Sequence, residues 1–259
     1  MSSIGAAVRA QSAVPGPVLL ISALAEEIAP LRRALVTARR LRIGGCPAAL
    51  GRLDGIPAVV ASTGDGAARA ARGVRAILDA VPVSRILVVG LAGGLTPHLS
   101  AGRVVVSRAV TDSGATVPAP DAPWLARAVR DAAATPATLV TVPRILVTPS
   151  AKARALAALP PGDAAAVDLE SAAFARGAAE RGIPYLILRS ISDTAEETLP
   201  LDFNAFLDSD GGVDRRRVAL AVLRRPSLIA PLWSLRGRMS LGASNLARAA
   251  RAILAGGAR

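Results

Sequence analysis

The sequence predicts a layered α/β domain built on a largely parallel sheet, and three observations predict it. The short apolar runs Val18 to Ser22, Ile86 to Val89 and Tyr185 to Leu188 have the length and continuity of strands covered on both faces. They alternate with Ala-rich stretches of helical character, the order expected when helices pack on the faces of a sheet. At 259 residues and 52% hydrophobic composition, the chain can bury one sizeable core and is short for two full domains.

The elements follow in order. Residues 1–17 read as a loose tail and not a signal peptide, because they hold one Arg and no long apolar core. Val18 to Ser22 is the first strand, followed by Glu26-Glu27 and a helix running to Arg40. Ala48 to Leu53 and Ile56 to Ser62 form a hairpin around Asp54-Gly55. Asp65 to Ala80 is a helix leading into the strand Ile86 to Val89, and Val104 to Val110 is a further strand. A helix over 123–134, a strand at 144–147, a helix over 150–159, a helix over 170–181 and the strand at 185–188 complete a catalytic unit placed at 18–212. Residues 213–259 carry Arg interleaved with Leu, Val, Ile and Trp233, and Pro226 and Pro231 are expected to break them into short helices, a basic helical extension.

Composition narrows the function classes. The net charge of +12 invites an anionic partner, but aromatic residues make up only 2% of the chain, too few for the stacking platforms of single-stranded nucleic acid, so no nucleic-acid partner is expected. All the basic residues but Lys152 are Arg. Cys46 is alone, which excludes an intrachain disulfide and points to no oxidising compartment. No apolar run reaches the ~18 residues of a spanning helix, so a cytoplasmic location is expected. His98, the single histidine, sits in a turn and cannot make a multi-His metal site; no metal is expected.

Polar residues placed directly beside apolar strands mark the candidate site, since ligands of open α/β sheets bind at the carboxyl ends of strands. Three stretches qualify: Ser22 to Glu27; Gly90-Leu91-Ala92-Gly93-Gly94-Leu95; and Val167 to Ala173 together with Arg189-Ser190-Ile191-Ser192-Asp193. Each has a plain structural alternative. Glycines also make tight turns, acids in a first helical turn favour the macrodipole, Asp193 suits an N-cap, and Arg189 can simply pair with a neighbouring carboxylate.

In combination, Ala-Gly-Gly-Leu at 92–95, Gly102 to Ser107, Asp168-Leu169-Glu170-Ser171-Ala172-Ala173 and Arg189 to Asp193 resemble the nucleoside phosphorylase and nucleosidase superfamily. The branch typified by methylthioadenosine/S-adenosylhomocysteine nucleosidase is the most similar. The resemblance spans 18–203 and implies a three-layer αβα phosphorylase/hydrolase-like fold with a central mixed sheet. It implies that Glu27 activates or orients the attacking water, that Glu170 holds the ribose hydroxyls, and that Asp193 protonates N7 of the departing purine, with Arg189 positioning Asp193. Leu169, Ala92, Gly93, Gly94 and Ser192 complete the substrate contacts. These roles suit the chemistry, because glycosidic cleavage builds positive charge on the sugar and negative charge on the base. The aromatic residue that stacks on adenine in this branch has no counterpart in Thr148 to Lys152.

The Phe203-Asn204-Ala205-Phe206 segment, Asp210-Gly211-Gly212 and the basic tail are similar to hopanoid-associated phosphorylases, which implies adenosylhopane as substrate, adenine as product, and no cofactor apart from phosphate as a possible co-substrate. A lipid-linked nucleoside suits a tail that docks peripherally on the anionic inner face of a membrane; packing on the domain or a second subunit of a homodimer is the alternative. Glu27 beside Glu26 would repel phosphate, which favours hydrolysis, although Arg42, Arg52 or Arg69 are the residues to serve phosphorolysis. A soluble methylthioadenosine/S-adenosylhomocysteine nucleosidase, and an inactive membrane- or nucleic-acid-binding protein, are the competing readings.

Overall fold

The computed structural model describes residues 16–112 and 115–256. Of the tail expected over 1–17, only Gly16 and Pro17 fall among them. The first strand, β1 (Val18–Ser22), is buried along its whole length. Leu19 and Ile21 enter one core cluster and Leu20 the other, so the continuous apolar run reflects two covered faces.

The helix expected to reach Arg40 stops early. Helix α1 (Ala29–Ala34) is followed by β2 (Val36–Ile43), an exposed edge strand paired antiparallel to β3 (Cys46–Leu53). On an edge strand its arginines guard exposed backbone groups against pairing with another chain. The hairpin from β3 to β4 (Ile56–Ser62) turns at Asp54 and Gly55, both with positive φ (49° and 83°), as a two-residue hairpin turn requires.

Helix α2 (Ala67–Ala80) leads into β5 (Arg85–Gly94), and here the glycine segment proves to be strand and not loop. Next come β6 (Val104–Asp112), its short partner β7 (Ala115–Thr116) and α3 (Ala122–Ala132). The strand expected at 144–147 is displaced to β8 (Thr135–Thr141), which pairs with β6. Residues 144–147 are irregular, and Ile145 and Leu146 line a cavity, so their apolar character answers to that cavity rather than to a ladder. After α4 (Pro149–Ala157), the four-residue β9 (Ala165–Asp168) joins β8 to β5. Helix α5 (Ser171–Ala179) and β10 (Tyr185–Asp193) follow.

The sheet runs β10-β6-β8-β9-β5-β1-β4-β3-β2 and is mixed. An additional β10–β5 pairing closes β5, β10, β6, β8 and β9 on themselves, which brings the ends of β5, β9 and β10 together. Helices α2 and α5 cover one face, while α1, α3 and the last helix cover the other, giving three layers.

The C-terminal segment departs from a chain of short helices. Helix α6 (Arg215–Arg224) and a turn at Pro226–Leu228 precede α7 (Ile229–Ala255), 27 residues long. Pro231 lies in its first turn, where backbone N–H groups have no helical partner, so it costs no hydrogen bond. Leu246, Ala250 and Ile253 of α7 pack with Leu20, Leu87 and Trp124. The extension expected from residue 213 thus divides into an outer part and a core helix.

Candidate active site

A cavity of about 720 Å³ opens where β5, β9 and β10 end. Glu27, Ala92, Gly93, Leu169, Glu170, Ser192 and Asp193 all line it, so the three acids quoted from distant stretches meet. Gly94 does not reach the cavity: it pairs with Ala166 of β9 and packs against Ile191 and Leu99. His98 is exposed and outside the cavity, and Cys46 is buried in the core.

Glu27 is buried at 6% exposure. Its Oε1 accepts from the Leu91 N–H (3.0 Å), and its Oε2 accepts from the Leu24 N–H (3.3 Å) and the Ser22 hydroxyl. Burial raises its pKa above the usual carboxylate value, partly offset by the Arg189 charge and these donors. Glu170, after β9, accepts from the Gly66 N–H at 2.8 Å. Burial and the neighbouring Asp168 carboxylate push its pKa up to about 7, so near neutral pH it can both donate to and accept from sugar hydroxyls.

Arg189 follows its plain structural alternative, pairing with a neighbouring carboxylate, and not the Asp193 contact that the resemblance implies. Its Nε meets Asp168 Oδ2 at 2.6 Å, and its Nε and Nη2 donate to Ser171 Oγ at 3.2 and 3.0 Å. Asp168 is further held by Thr141 Oγ1 and the Ser171 N–H, both at 3.1 Å. Arg189 therefore supports the floor beneath Glu27 and Glu170 instead of positioning Asp193. It lies opposite Gly90 in the β10–β5 register, and a Cβ at 90 would overlap its guanidinium. Glycine at 90 is the space that admits a buried arginine.

Asp193 stands opposite Gly93 after a register shift in β10. Its Oδ1 accepts from Ser192 Oγ at 2.6 Å, and its Oδ2 pairs with Lys152 Nζ at 2.6 Å. Lys152 has no exposed surface, and sequence reasoning passed over it; its only signal was being the one lysine among many arginines. Phe203 also lines the cavity, an aromatic supplied by a segment other than 148–152. Of the arginines considered for phosphate, Arg42 and Arg52 bond the carbonyls of their own turns and Arg69 bonds Asp208, and none lines the cavity. Among the described residues, no cluster of three or more His, Cys, Asp or Glu has the arrangement to hold a metal ion.

Opposed acids around one pocket at strand ends, with a buried cation beneath, give an α/β enzyme a site suited to cleaving a glycosyl bond. The chain belongs to the phosphorylase superfamily, whose family profile matches residues 17–224. A 5′-methylthioadenosine/S-adenosylhomocysteine nucleosidase from Geobacillus kaustophilus is 31% identical over 212 residues, covering 73% of this chain and 89% of that protein. The structure of such a nucleosidase from Colwellia psychrerythraea in complex with adenine superposes with TM-score 0.73 at 22% identity, over 93% of this chain and 95% of that one. Futalosine hydrolase of Helicobacter pylori gives TM-score 0.74 at 18% identity, over 95% and 100%.

Proposed function

We propose that this enzyme hydrolyses the N-glycosidic bond of an adenine nucleoside bearing a large apolar 5′ substituent, adenosylhopane in hopanoid lipid biosynthesis, and releases adenine. One observation carries the reading: Glu27, Glu170 and Asp193 share a cavity that Val213, Val218, Leu235 and Met239 of the C-terminal segment also line, with Arg215 and Arg236 among them. The acids serve the reacting ribosyl centre, and the apolar side chains suit a 5′ chain.

In the step itself, water adds to C1′ and its proton passes to Glu27, whose raised pKa suits a base. Glu170 holds the ribose hydroxyls. The C1′–N9 bonding pair leaves with the purine, and Asp193 protonates N7. Phosphate is disfavoured as nucleophile because Glu27, Glu170 and Asp168 surround the buried floor and Arg189 beneath them is already paired with Asp168; of the arginines that line the cavity, Arg33, Arg215 and Arg236, Arg215 is paired with Glu26.

The substrate's lipid character places the enzyme peripherally on the inner face of a membrane. No single helix among the described residues is long and apolar enough to cross one. A homodimer belongs to the same reading; light scattering should give twice the 26.2 kDa chain mass. The competing substrate is methylthioadenosine, favoured by the curated relatives.

The deciding experiment is adenine release from adenosylhopane in detergent and from methylthioadenosine, with and without phosphate. Phosphate-independent release from adenosylhopane with the higher kcat/KM supports the proposal. Preference for methylthioadenosine overturns the lipid substrate, and release only with phosphate overturns hydrolysis.

A further inference from the structure

Lys152 is the single lysine in a chain with 31 basic residues, and it is among the largest side chains with no solvent contact. Burying an ammonium is costly unless every proton finds a partner. Here three protons meet three oxygens: Asp193 Oδ2 at 2.6 Å, the Thr194 carbonyl at 2.5 Å and the Glu197 carbonyl at 3.1 Å. A compact ammonium with three rotatable donors matches that cup, whereas the flat fork of arginine does not. The loop it grips is tied back on itself by the Thr194 N–H donating to Glu197 Oε2 at 2.8 Å. The far carboxylate oxygen of Asp193 is held by Ser192 Oγ, which also reaches the Ala92 carbonyl at 3.2 Å.

We propose that Lys152 is a positioning residue that acts through Asp193: it fixes the carboxyl towards the departing base and stabilises the carboxylate left behind when that base takes its proton. The proposal rests on the reading of Asp193 as the proton donor. In the step, Asp193 takes up a solvent proton as the base binds; that O–H bond then breaks and an N7–H bond forms as the C1′–N9 pair moves onto the purine. Negative charge then appears on Asp193 beside an ammonium already 2.6 Å away. An attraction stronger in the transition state than in the ground state raises kcat and not only affinity. Helix α4 supplies Lys152 through a first turn opened by Pro149 and capped by the Thr148 hydroxyl on the Ala151 N–H, so the ammonium is aimed by a rigid element.

The test is a double-variant cycle read by kcat/KM and by one spectrum. Lys152→Met should lower kcat by about 10²-fold, the lower range for a proton-transfer contribution, with little change in KM. Lys152→Met combined with Asp193→Asn should be no slower than Asp193→Asn alone, because Lys152 acts only through that carboxyl. A Lys152→Met enzyme that is as fast as wild type, or a double variant that suffers both losses in full, overturns the proposal. Lys152→Arg keeps the charge without the geometry and should recover only part of the activity; full recovery overturns the geometric part.

The spectrum needs no turnover and remains informative if the Met variant fails to fold. Labelling with [15N]lysine gives one Nζ resonance. It should shift in folded Asp193→Asn, and it should shift in wild type when adenine is added. A resonance that ignores Asp193→Asn overturns the pairing. Adenine that leaves it unmoved overturns its role beside the base. Inactivity of wild type on adenosylhopane would count against that substrate alone, since the spectrum judges Lys152 separately.

Discussion

Two glycines of β5 each stand opposite a charged residue of β10, Gly90 facing Arg189 and Gly93 facing Asp193. The pairing explains why a glycine-rich segment can be a strand: the missing side chains are the space into which the neighbouring strand's charged groups fold. Gly90→Ala should force the Arg189 guanidinium away from Asp168 and cost about 1–3 kcal/mol, the usual range for overpacking, measurable by urea denaturation. Glu170 offers a second test. Its folded pKa of about 7 lies above the ordinary carboxylate value, so between those values the folded state keeps a proton that the unfolded chain releases. Stability therefore falls as pH rises from about 4.5 to 7, and Glu27, shifted in the same direction, adds to the fall. Glu170→Gln should flatten that slope in urea titrations taken at pH 5, 6 and 7, and an unchanged slope would contradict the burial penalty assigned to it.

At the scale of elements, the elbow between α6 and α7, bent by 117°, carries four of the seven exposed large hydrophobic side chains among the described residues. Leu223 and Trp233 are 77% and 73% exposed, with Leu220 and Ile229 nearby, and Arg216, Arg224 and Arg225 are exposed on the same segment. Scattered single apolar residues need no explanation, but a contiguous apolar patch with basic neighbours suits an anionic lipid surface. Under the proposed lipid substrate, the protein should sediment with phosphatidylglycerol vesicles at low salt and less so at 0.5 M NaCl. Leu223→Glu with Trp233→Glu should abolish sedimentation while leaving turnover of a detergent-solubilised nucleoside unchanged, as neither residue lines the cavity. Equal binding to neutral vesicles would contradict the electrostatic part.

For the molecule as a whole, the question is where the catalytic body ends. The family profile ends at residue 224, yet the second half of α7 fills the face of the sheet that also carries Leu20, Leu87 and Trp124. Truncation after Arg225 removes Leu246, Ala250 and Ile253, each fully buried. At about 1.5–3 kcal/mol for each of the two large side chains, Leu246 and Ile253, that removes a large part of a domain's net stability. The truncated chain should be insoluble or lack a cooperative thermal transition; a cooperative melt with near-UV signal would show that the body ends earlier.

Much of the fold was legible because burial on both faces leaves a continuous apolar run, as at β1, and because Asp54-Gly55 can adopt the positive φ values its hairpin needs. Local signals failed where a partner decides the conformation. The edge strand β2 exists because β3 is there to pair with it, and β9, four residues rich in alanine, exists because β5 and β8 flank it. In the same way, the sequence by itself marked the polar stretches beside the apolar strands, and the family resemblance of its motifs singled out Glu27, Glu170 and Asp193 within them, the three acids that line the cavity. Only the tertiary structure decided their partners: Asp168 and not Asp193 for Arg189, and Lys152 for Asp193. The physical reason is that a buried charge takes whichever counter-charge the packing brings within hydrogen-bonding distance, and that distance is set by strand register and helix docking, which adjacency in sequence does not encode.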